Sequence, residues 1–266
     1  MRLALSSAVA AVLLGAGCAG PRPSSRLEDM PRHDEWVRVQ SGGREIQTYV
    51  VYPEVSRKAP VVVLIHENRG LTDWVRTVAD RLAEEGYIAV APDLLSGMAP
   101  GGGRTTDFPT QDAAREAIGR LTRDGVLGDV RAVVDYARSI PAANGKVSVA
   151  GFCWGGARTW DAALGGLDLA AAYVFYGTGP ADTQSVAAVK APVFGFYGGN
   201  DARVNATIPT SQSLMRAAGK RFEPVTYEGA GHAFMRSGEL PEATPAEKKA
   251  RDDAWTRWLR LLRETN

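Results

Sequence analysis

An open α/β domain, with a mostly parallel sheet and helices on both of its faces, is the fold class this amino-acid sequence predicts, and three observations carry it. Apolar runs without alternation, at residues 61–65, 87–91 and 147–150, have the character of strands buried on both faces of a parallel sheet. Between them the apolar period lengthens to that of a helix. The two signals then alternate to the end of the chain, as expected when helices cross over a parallel sheet. With 266 residues, 45% of them hydrophobic, the chain can bury one sizeable core, and collagen-like, disordered and coiled-coil compositions are excluded. Lys and Arg number 31 against 30 Asp and Glu, and a net charge of +1 argues against a nucleic-acid partner.

Residues 1–20 read as a targeting signal. Arg2 gives a short positive start, and residues 3–14 form an apolar stretch broken by Ser6 and Ser7, too short to span a bilayer as a mature helix. The run Leu13-Leu14-Gly15-Ala16-Gly17-Cys18 resembles a bacterial lipoprotein signal, in which Cys18 becomes the lipidated first residue. It departs from that pattern in having Gly15 where such signals usually place Leu. Cleavage after Ala16 or Ala19 and release as a soluble protein is the alternative. Either route exports the chain, and contact with a membrane is expected only through an anchor at Cys18. Residues 21–34, with Pro21, Pro23, Ser24, Ser25 and Pro31, have linker composition, which leaves 35–266 as the domain.

Within the domain, strand-like residues 36–40 and 45–52 flank a turn at Ser41-Gly42-Gly43, so a hairpin opens the fold. After the strand at 61–65, Val75, Val78, Ala79, Leu82 and Ala83 fall on one helical face that stops at Gly86. The strand at 87–91 and a long loop, 96–111, lead to a short helix carrying Ala113, Ala117, Ile118 and Leu121. A longer helix carries Val126, Val130, Val133 and Ala137 and ends before Pro141. The strand at 147–150 is followed by a helix over 154–164. Strands at 171–175, 192–197 and 223–227, a helix over 210–218, and a closing helix with Trp255, Trp258, Leu259 and Leu262 complete the chain. Pro224 has no N–H for a ladder, which places the last strand at an edge. Sheets of this kind put their sites beyond the carboxyl ends of the strands.

Directly after the strand at 147–150 comes Gly151-Phe152-Cys153-Trp154-Gly155-Gly156, a nucleophile elbow with Cys in place of Ser. So sharp a strand-to-helix turn strains position 153 and leaves no room for side chains at its neighbours. It also sets Cys153 at a helix N-terminus, whose positive end favours a thiolate. The plain alternative is a small buried Cys between packing glycines. His232, in Gly231-His232-Ala233-Phe234 after the strand at 223–227, is the best-placed base. His66 is expected to be a hydrogen-bonded core histidine and His33 a solvated one. Asp201, after the strand at 192–197, is the candidate orienting acid, with a turn residue as its alternative. Nucleophile, acid and base in that chain order, each just past a strand, is the α/β-hydrolase order. Cys18 and Cys153 are the only cysteines and the three histidines show no ligand spacing, so neither a disulfide framework nor a metal site is expected.

Together these segments resemble the dienelactone hydrolases, a family of Cys-dependent α/β-hydrolases, over roughly residues 36–262 by element order. The resemblance implies an α/β-hydrolase fold and cleavage of small esters or lactones through an acyl-thioester on Cys153, without cofactor. It makes His232 the base held by Asp201, and the N–H groups of Trp154 and Asn68 the oxyanion donors. It also implies that Glu67, in His66-Glu67-Asn68-Arg69-Gly70, pairs with the resting thiol and moves when substrate arrives, and that Arg236 binds substrate. Two departures matter. Members that open dienelactones hold the substrate carboxylate with an Arg shortly after the strand ending in Pro-Asp, and with a Ser and an Arg after the catalytic His. Here Pro92-Asp93-Leu94-Leu95-Ser96-Gly97-Met98 lacks that Arg, and Ala233 stands in place of the Ser. Carboxylate-bearing dienelactones are therefore expected to be poorer substrates than neutral esters, unless Arg104 or another group completes the clamp. The loop 96–111 is either a mobile lid or a plain surface loop. The fold also serves thioesterases and peptidases, and a non-catalytic surface-binding lipoprotein is the alternative of a different class. Titration with a thiol-directed reagent separates the enzymes from the binding module.

A lipid anchor at Cys18 has a direct readout. The full chain expressed in a bacterium should partition with membranes, and Cys18→Ser should move to the soluble fraction on immunoblots. Recovery of unmodified wild type among soluble periplasmic proteins would favour ordinary signal cleavage.

Overall fold

The computed structural model describes residues 31–182 and 186–266; the expectations for the signal, for Cys18 and for residues 21–30 lie outside the described residues. The hairpin signal is realised as β1 (Asp34–Ser41) and β2 (Arg44–Val51), antiparallel, with Ser41 opposite Arg44. Gly42 and Gly43 both have positive φ, +52° and +85°, as a two-residue hairpin turn requires. Packing starts ahead of the expected boundary: Arg32 forks onto Asp80 at 2.6 and 2.7 Å, and the Tyr52 N–H donates to the His33 carbonyl.

The strands β3 (Ala59–Ile65), β4 (Ile88–Pro92), β5 (Ala143–Phe152), β6 (Ala172–Phe175), β7 (Val193–Gly198) and β8 (Phe222–Tyr227) follow. One eight-stranded sheet results, in the order β1-β2-β4-β3-β5-β6-β7-β8. All pairs from β4 to β8 are parallel, and only the opening hairpin and its junction with β4 are antiparallel. Every residue of β3, β4, β6 and β7 is buried, which is why those segments are apolar without alternation. β8 lies at the edge, where Pro224 opposite Gly195 does not interrupt a ladder on its free side. β5 begins earlier than the apolar signal, because Asn144, Gly145 and Lys146 continue the strand while exposed.

Helices cover both faces. On one, α1 (Asp73–Glu84) and the closing helix α8 (Pro245–Thr265) pack Trp74, Val78, Trp258 and Leu262 on Phe152 and Phe175. On the other, α3 (Arg123–Ser139) presents Val126, Val130, Val133 and Ala137 to β3, β4 and β5, and α4 (Trp154–Leu164) crosses beside it. The remaining helices are α2 (Gln111–Arg120), α5 (Ala202–Asn205), α6 (Ile208–Ala217) and α7 (Phe234–Ser237). α5 and α7 are single turns, too short to show a period. α8 starts well before its apolar stripe because Thr244 and Glu247 cap one another's backbone N–H and Pro245 sets the first turn.

Sheet and helix approach most closely at the elbow between β5 and α4. A Cβ on Gly155 would lie 2.3 Å from the Ile65 carbonyl oxygen and 2.4 Å from that of His66, and one on Gly151 would lie 2.2 Å from the Gly155 oxygen. These neighbours are backbone, so they cannot yield by a rotamer change. Gly155→Ala is expected to lower stability by about 1–3 kcal/mol, the usual result of overpacking a filled site, measured by urea or thermal unfolding. Gly128→Ala, in open space on α3, should be neutral or stabilising by up to about 1 kcal/mol.

Candidate active site

The elbow holds Cys153 at φ 58°, ψ −114°, a conformation L-residues avoid, with its N–H donating to the Phe175 carbonyl at 3.0 Å. The side chain is half-exposed beyond the end of central strand β5. His232 Nε2 lies 3.0 Å from Cys153 Sγ, and His232 Nδ1 lies 2.5 Å from Asp201 Oδ2. The three residues singled out in chain order are thus brought into one line. What joins them is a backbone seam between the loops after β7 and β8. Gly199 N–H donates to the Tyr227 carbonyl at 2.7 Å and Asn200 N–H to that of Ala230 at 2.9 Å. A Cβ on Gly198 would lie 2.4 Å from the Gly231 oxygen, so only glycine permits that approach. Asp201 makes two contacts: Oδ1 caps α5 by accepting from the Val204 N–H, and Oδ2 faces the histidine.

The imidazole of His232 is pushed up from its usual 6.5 to about 9. The hydrogen bond with Cys153 is the largest cause, the hydrogen bond to Asp201 adds to it, and burial opposes both. The protonated ring, donating from both nitrogens, is therefore the form this geometry favours at neutral pH.

Glu67 is 3% exposed, and its side chain is hydrogen-bonded to Arg236. Its Oε2 accepts from Arg236 Nε at 2.8 Å, while the thiol faces His232. The reason is electrostatic: a buried carboxylate is stabilised by a guanidinium at hydrogen-bond distance. Arg236, expected to bind substrate, is accordingly engaged with Glu67.

Tyr176, at the end of β6, was not singled out in the sequence. It is fully enclosed, at φ 41°, with its ring edge-on to His232 at 5.2 Å. No partner within the described residues accepts its hydroxyl. Burial raises the phenol far above its usual value, and the charges of Glu67 and Cys153 raise it further. Cys153, Tyr176 and Ala233 are the three non-glycine residues with positive φ among those described, and all three surround the thiol–imidazole pair. Strain collected in one place marks a functional site. The sequence carried only a weak signal for Tyr176: a Tyr-Gly step after the strand next to the elbow strand.

His66 is buried, as expected, and fully bonded. Nδ1 donates to the Glu67 carbonyl at 2.8 Å and Nε2 accepts from the Leu94 N–H at 3.2 Å, which fixes a neutral ring whose pKa burial lowers. The ring stacks on Trp154 at 5.5 Å. His33 is exposed and stacks on Tyr52. Trp154, first residue of α4, has an N–H without an intrahelical acceptor. Asn68 lies inside a turn closed by the Gly70 N–H and the Glu67 carbonyl, leaving its own N–H outside that bond. The loop 96–111 is tied down: Thr105 donates from N and Oγ1 to Asp93 at 2.8 Å each and accepts from the Leu71 N–H. Arg104, the alternative clamp residue, instead lies over the Trp36 ring at 3.9 Å and donates to Thr106.

Comparison with known proteins gives a consistent result. The model of the dienelactone hydrolase family matches residues 46–266. The carboxymethylenebutenolidase of Pseudomonas putida is 33% identical over 230 residues, covering 82% of this chain and 94% of the relative. That of Pseudomonas knackmussii matches to the same extent, 33% over 230 residues. Among solved structures, a dienelactone hydrolase-like promiscuous phosphotriesterase from metagenomic libraries superposes with a TM-score of 0.74 at 23% identity, over 88% of this chain and 98% of that one, a likeness of fold.

The raised imidazole links folding to pH. Because the folded value, about 9, exceeds the usual 6.5, the stabilisation is fully present below 6.5 and is lost as pH rises through about 9. Asp201→Asn keeps the shape and removes the charge. An NMR titration of the His232 ring should have its midpoint near 9 in the wild type and lower in Asp201→Asn, with a shallower fall of melting temperature over that window. Equal midpoints would show that Asp201 does not support the imidazolium.

Proposed function

The chain belongs to the dienelactone hydrolase family, and from the site it carries we propose that it hydrolyses small esters or lactones through Cys153, His232 and Asp201. The observation that bears most weight is the unbroken line from sulfur to imidazole to carboxylate at the carboxyl ends of β5, β7 and β8. The α/β-hydrolase fold and the class of lactone or ester hydrolase follow from the family. The covalent route is the reading that these residues support.

His232 Nε2 holds the proton it shares with the sulfur of Cys153, and Sγ attacks the substrate carbonyl carbon. The oxygen becomes an oxyanion that accepts from the backbone N–H groups of Trp154 and Asn68. Collapse breaks the bond to the alcohol oxygen, which leaves with the proton from Nε2. An ester loses its alcohol, whereas a lactone opens and stays attached as a hydroxyacyl-thioester. Water then gives a proton to Nε2 and adds to the thioester carbonyl, and a second collapse returns the thiolate and releases the acid. Asp201 keeps the ring turned so that one nitrogen serves the sulfur throughout. Glu67 stays hydrogen-bonded to Arg236 while Cys153 is presented to substrate.

Cys153→Ala removes the nucleophile and fits the elbow, so hydrolysis of short-chain esters and neutral lactones should fall by about 10³-fold or more at unchanged melting temperature. Cys153→Ser should also be weak, because a hydroxyl ionises far less readily than a thiol. Mass spectrometry of wild type quenched during turnover should show the acyl mass on the peptide containing Cys153. Undiminished turnover in Cys153→Ala would overturn the proposal.

A further inference from the structure

His66 follows the apolar run of β3 directly, and its ring is fully enclosed. Polar atoms drawn so far from water are unfavourable unless each finds a partner, and a phenyl ring would fill the space without that demand. Both nitrogens of His66 are bonded, and their partners fix the tautomer. The Leu94 N–H can only donate, so Nε2, at 3.2 Å, is an acceptor, and the proton sits on Nδ1, 2.8 Å from the Glu67 carbonyl oxygen. A protonated ring would set a second N–H against that of Leu94, and burial opposes it as well.

The bond at Nδ1 reaches further than the ring. The Glu67 carbonyl and the Asn68 N–H belong to one peptide group, and no peptide bond among the described residues is cis. In a trans peptide the C=O and the N–H point in opposite directions. Holding the oxygen on the imidazole therefore turns the Asn68 N–H away from it, and no acceptor among the described residues takes that N–H. The Gly70 N–H donates to the same oxygen at 3.2 Å. Two donors on one carbonyl polarise the peptide and strengthen the donor at its other end. The second proposed donor, the Trp154 N–H, is tied to the same residue. The Trp154 ring stacks on His66 at 5.5 Å, and a Cβ on Gly155 would lie 2.4 Å from the His66 carbonyl oxygen.

We propose that His66 is a positioning residue for the oxyanion hole: its Nδ1–H holds the Glu67 carbonyl and, through that peptide, aims the Asn68 N–H at the oxygen of the substrate carbonyl. The inference rests on the hydrolase reading above and adds to it a group that touches neither substrate nor sulfur. A donor fixed in this way needs no reorganisation when charge develops on the oxygen.

Two substitutions in the full protein separate the two ring bonds. In His66→Asn the side-chain amide nitrogen falls where Nδ1 does and can donate to the Glu67 carbonyl, while the Leu94 N–H loses its acceptor. In His66→Gln the longer amide brings its oxygen near the place of Nε2, which keeps the Leu94 N–H bonded and leaves the Glu67 carbonyl without the ring donor. With para-nitrophenyl butyrate, His66→Gln should lower kcat by about 10- to 100-fold with KM within about threefold, somewhat less than the loss of an oxyanion donor outright, and His66→Asn should keep at least about a third of wild-type kcat. Alkylation of Cys153 by iodoacetamide, which builds no oxyanion, should run at the wild-type rate in both. A kcat in His66→Gln equal to or above that in His66→Asn overturns the proposal, as does a loss carried by KM or an alkylation rate that falls along with kcat. Should either variant fail to fold, the wild-type ring decides: long-range proton–nitrogen NMR spectra should place the ring proton on Nδ1, and a proton on Nε2 overturns the proposal. Failure of the hydrolase reading looks different, because wild type and Cys153→Ala would then be equally inert toward the ester.

Discussion

The site depends first on a contact between backbones. α4 comes so close to β3 and β6 that Gly155 rests against the carbonyls of Ile65 and His66, and Gly156 against that of Phe175. Only a chain without Cβ atoms at those positions can turn from strand to helix in so short a space. Cys153, caught between them, must take a positive φ, and its side chain then projects beyond the sheet rather than into it. The cost of that strain is met by the buried strands on either side, whose apolar residues leave the turn no room to relax. Tyr176 and Ala233 repeat the same arrangement at the ends of β6 and of the loop after β8. Three strained residues therefore frame the sulfur and the imidazole.

Charge is shared out with equal strictness. Two buried carboxylates stand near the thiol, and each has its own cation: Asp201 faces the imidazole and Glu67 faces Arg236. Were Glu67 unpaired, its charge would oppose a thiolate and its burial would raise the free energy of the fold. The guanidinium removes both difficulties, and the buried Tyr176 ring stands edge-on to His232 beside them.

Much of this was legible in the residues. Unalternating apolar runs gave the buried strands because burial on both faces leaves no polar side to record. The elbow was legible because its glycines are demanded by contact, and Asp201 and His232 because strand ends are where an open sheet can place them. Other features left no trace. The first residues of β5 are exposed, and the first turns of α8 are polar, so neither has a period to read. Tyr176 matters only because β6 pairs with β5, a fact of sheet order that local sequence does not encode. The partner of Glu67 lies 169 positions away, and no motif says which of two nearby groups a carboxylate will choose.

His66 shows how such distant choices become one arrangement. Its two ring nitrogens bond the Glu67 carbonyl and the Leu94 N–H, and its face lies on Trp154. Both segments with proposed oxyanion donors therefore bear on the same ring. Asp93, beside Leu94, holds Thr105, and Thr105 in turn accepts from Leu71, one turn beyond Asn68. Through Thr105 the loop 96–111 is bonded back to Asp93 and to Leu71, just past the turn that carries Asn68 and Arg69. A closed circuit of this kind couples the loop to the turn, because moving either one breaks hydrogen bonds that the other makes. Phe108 in that loop therefore lies against a turn whose backbone the core histidine holds through the Glu67 carbonyl.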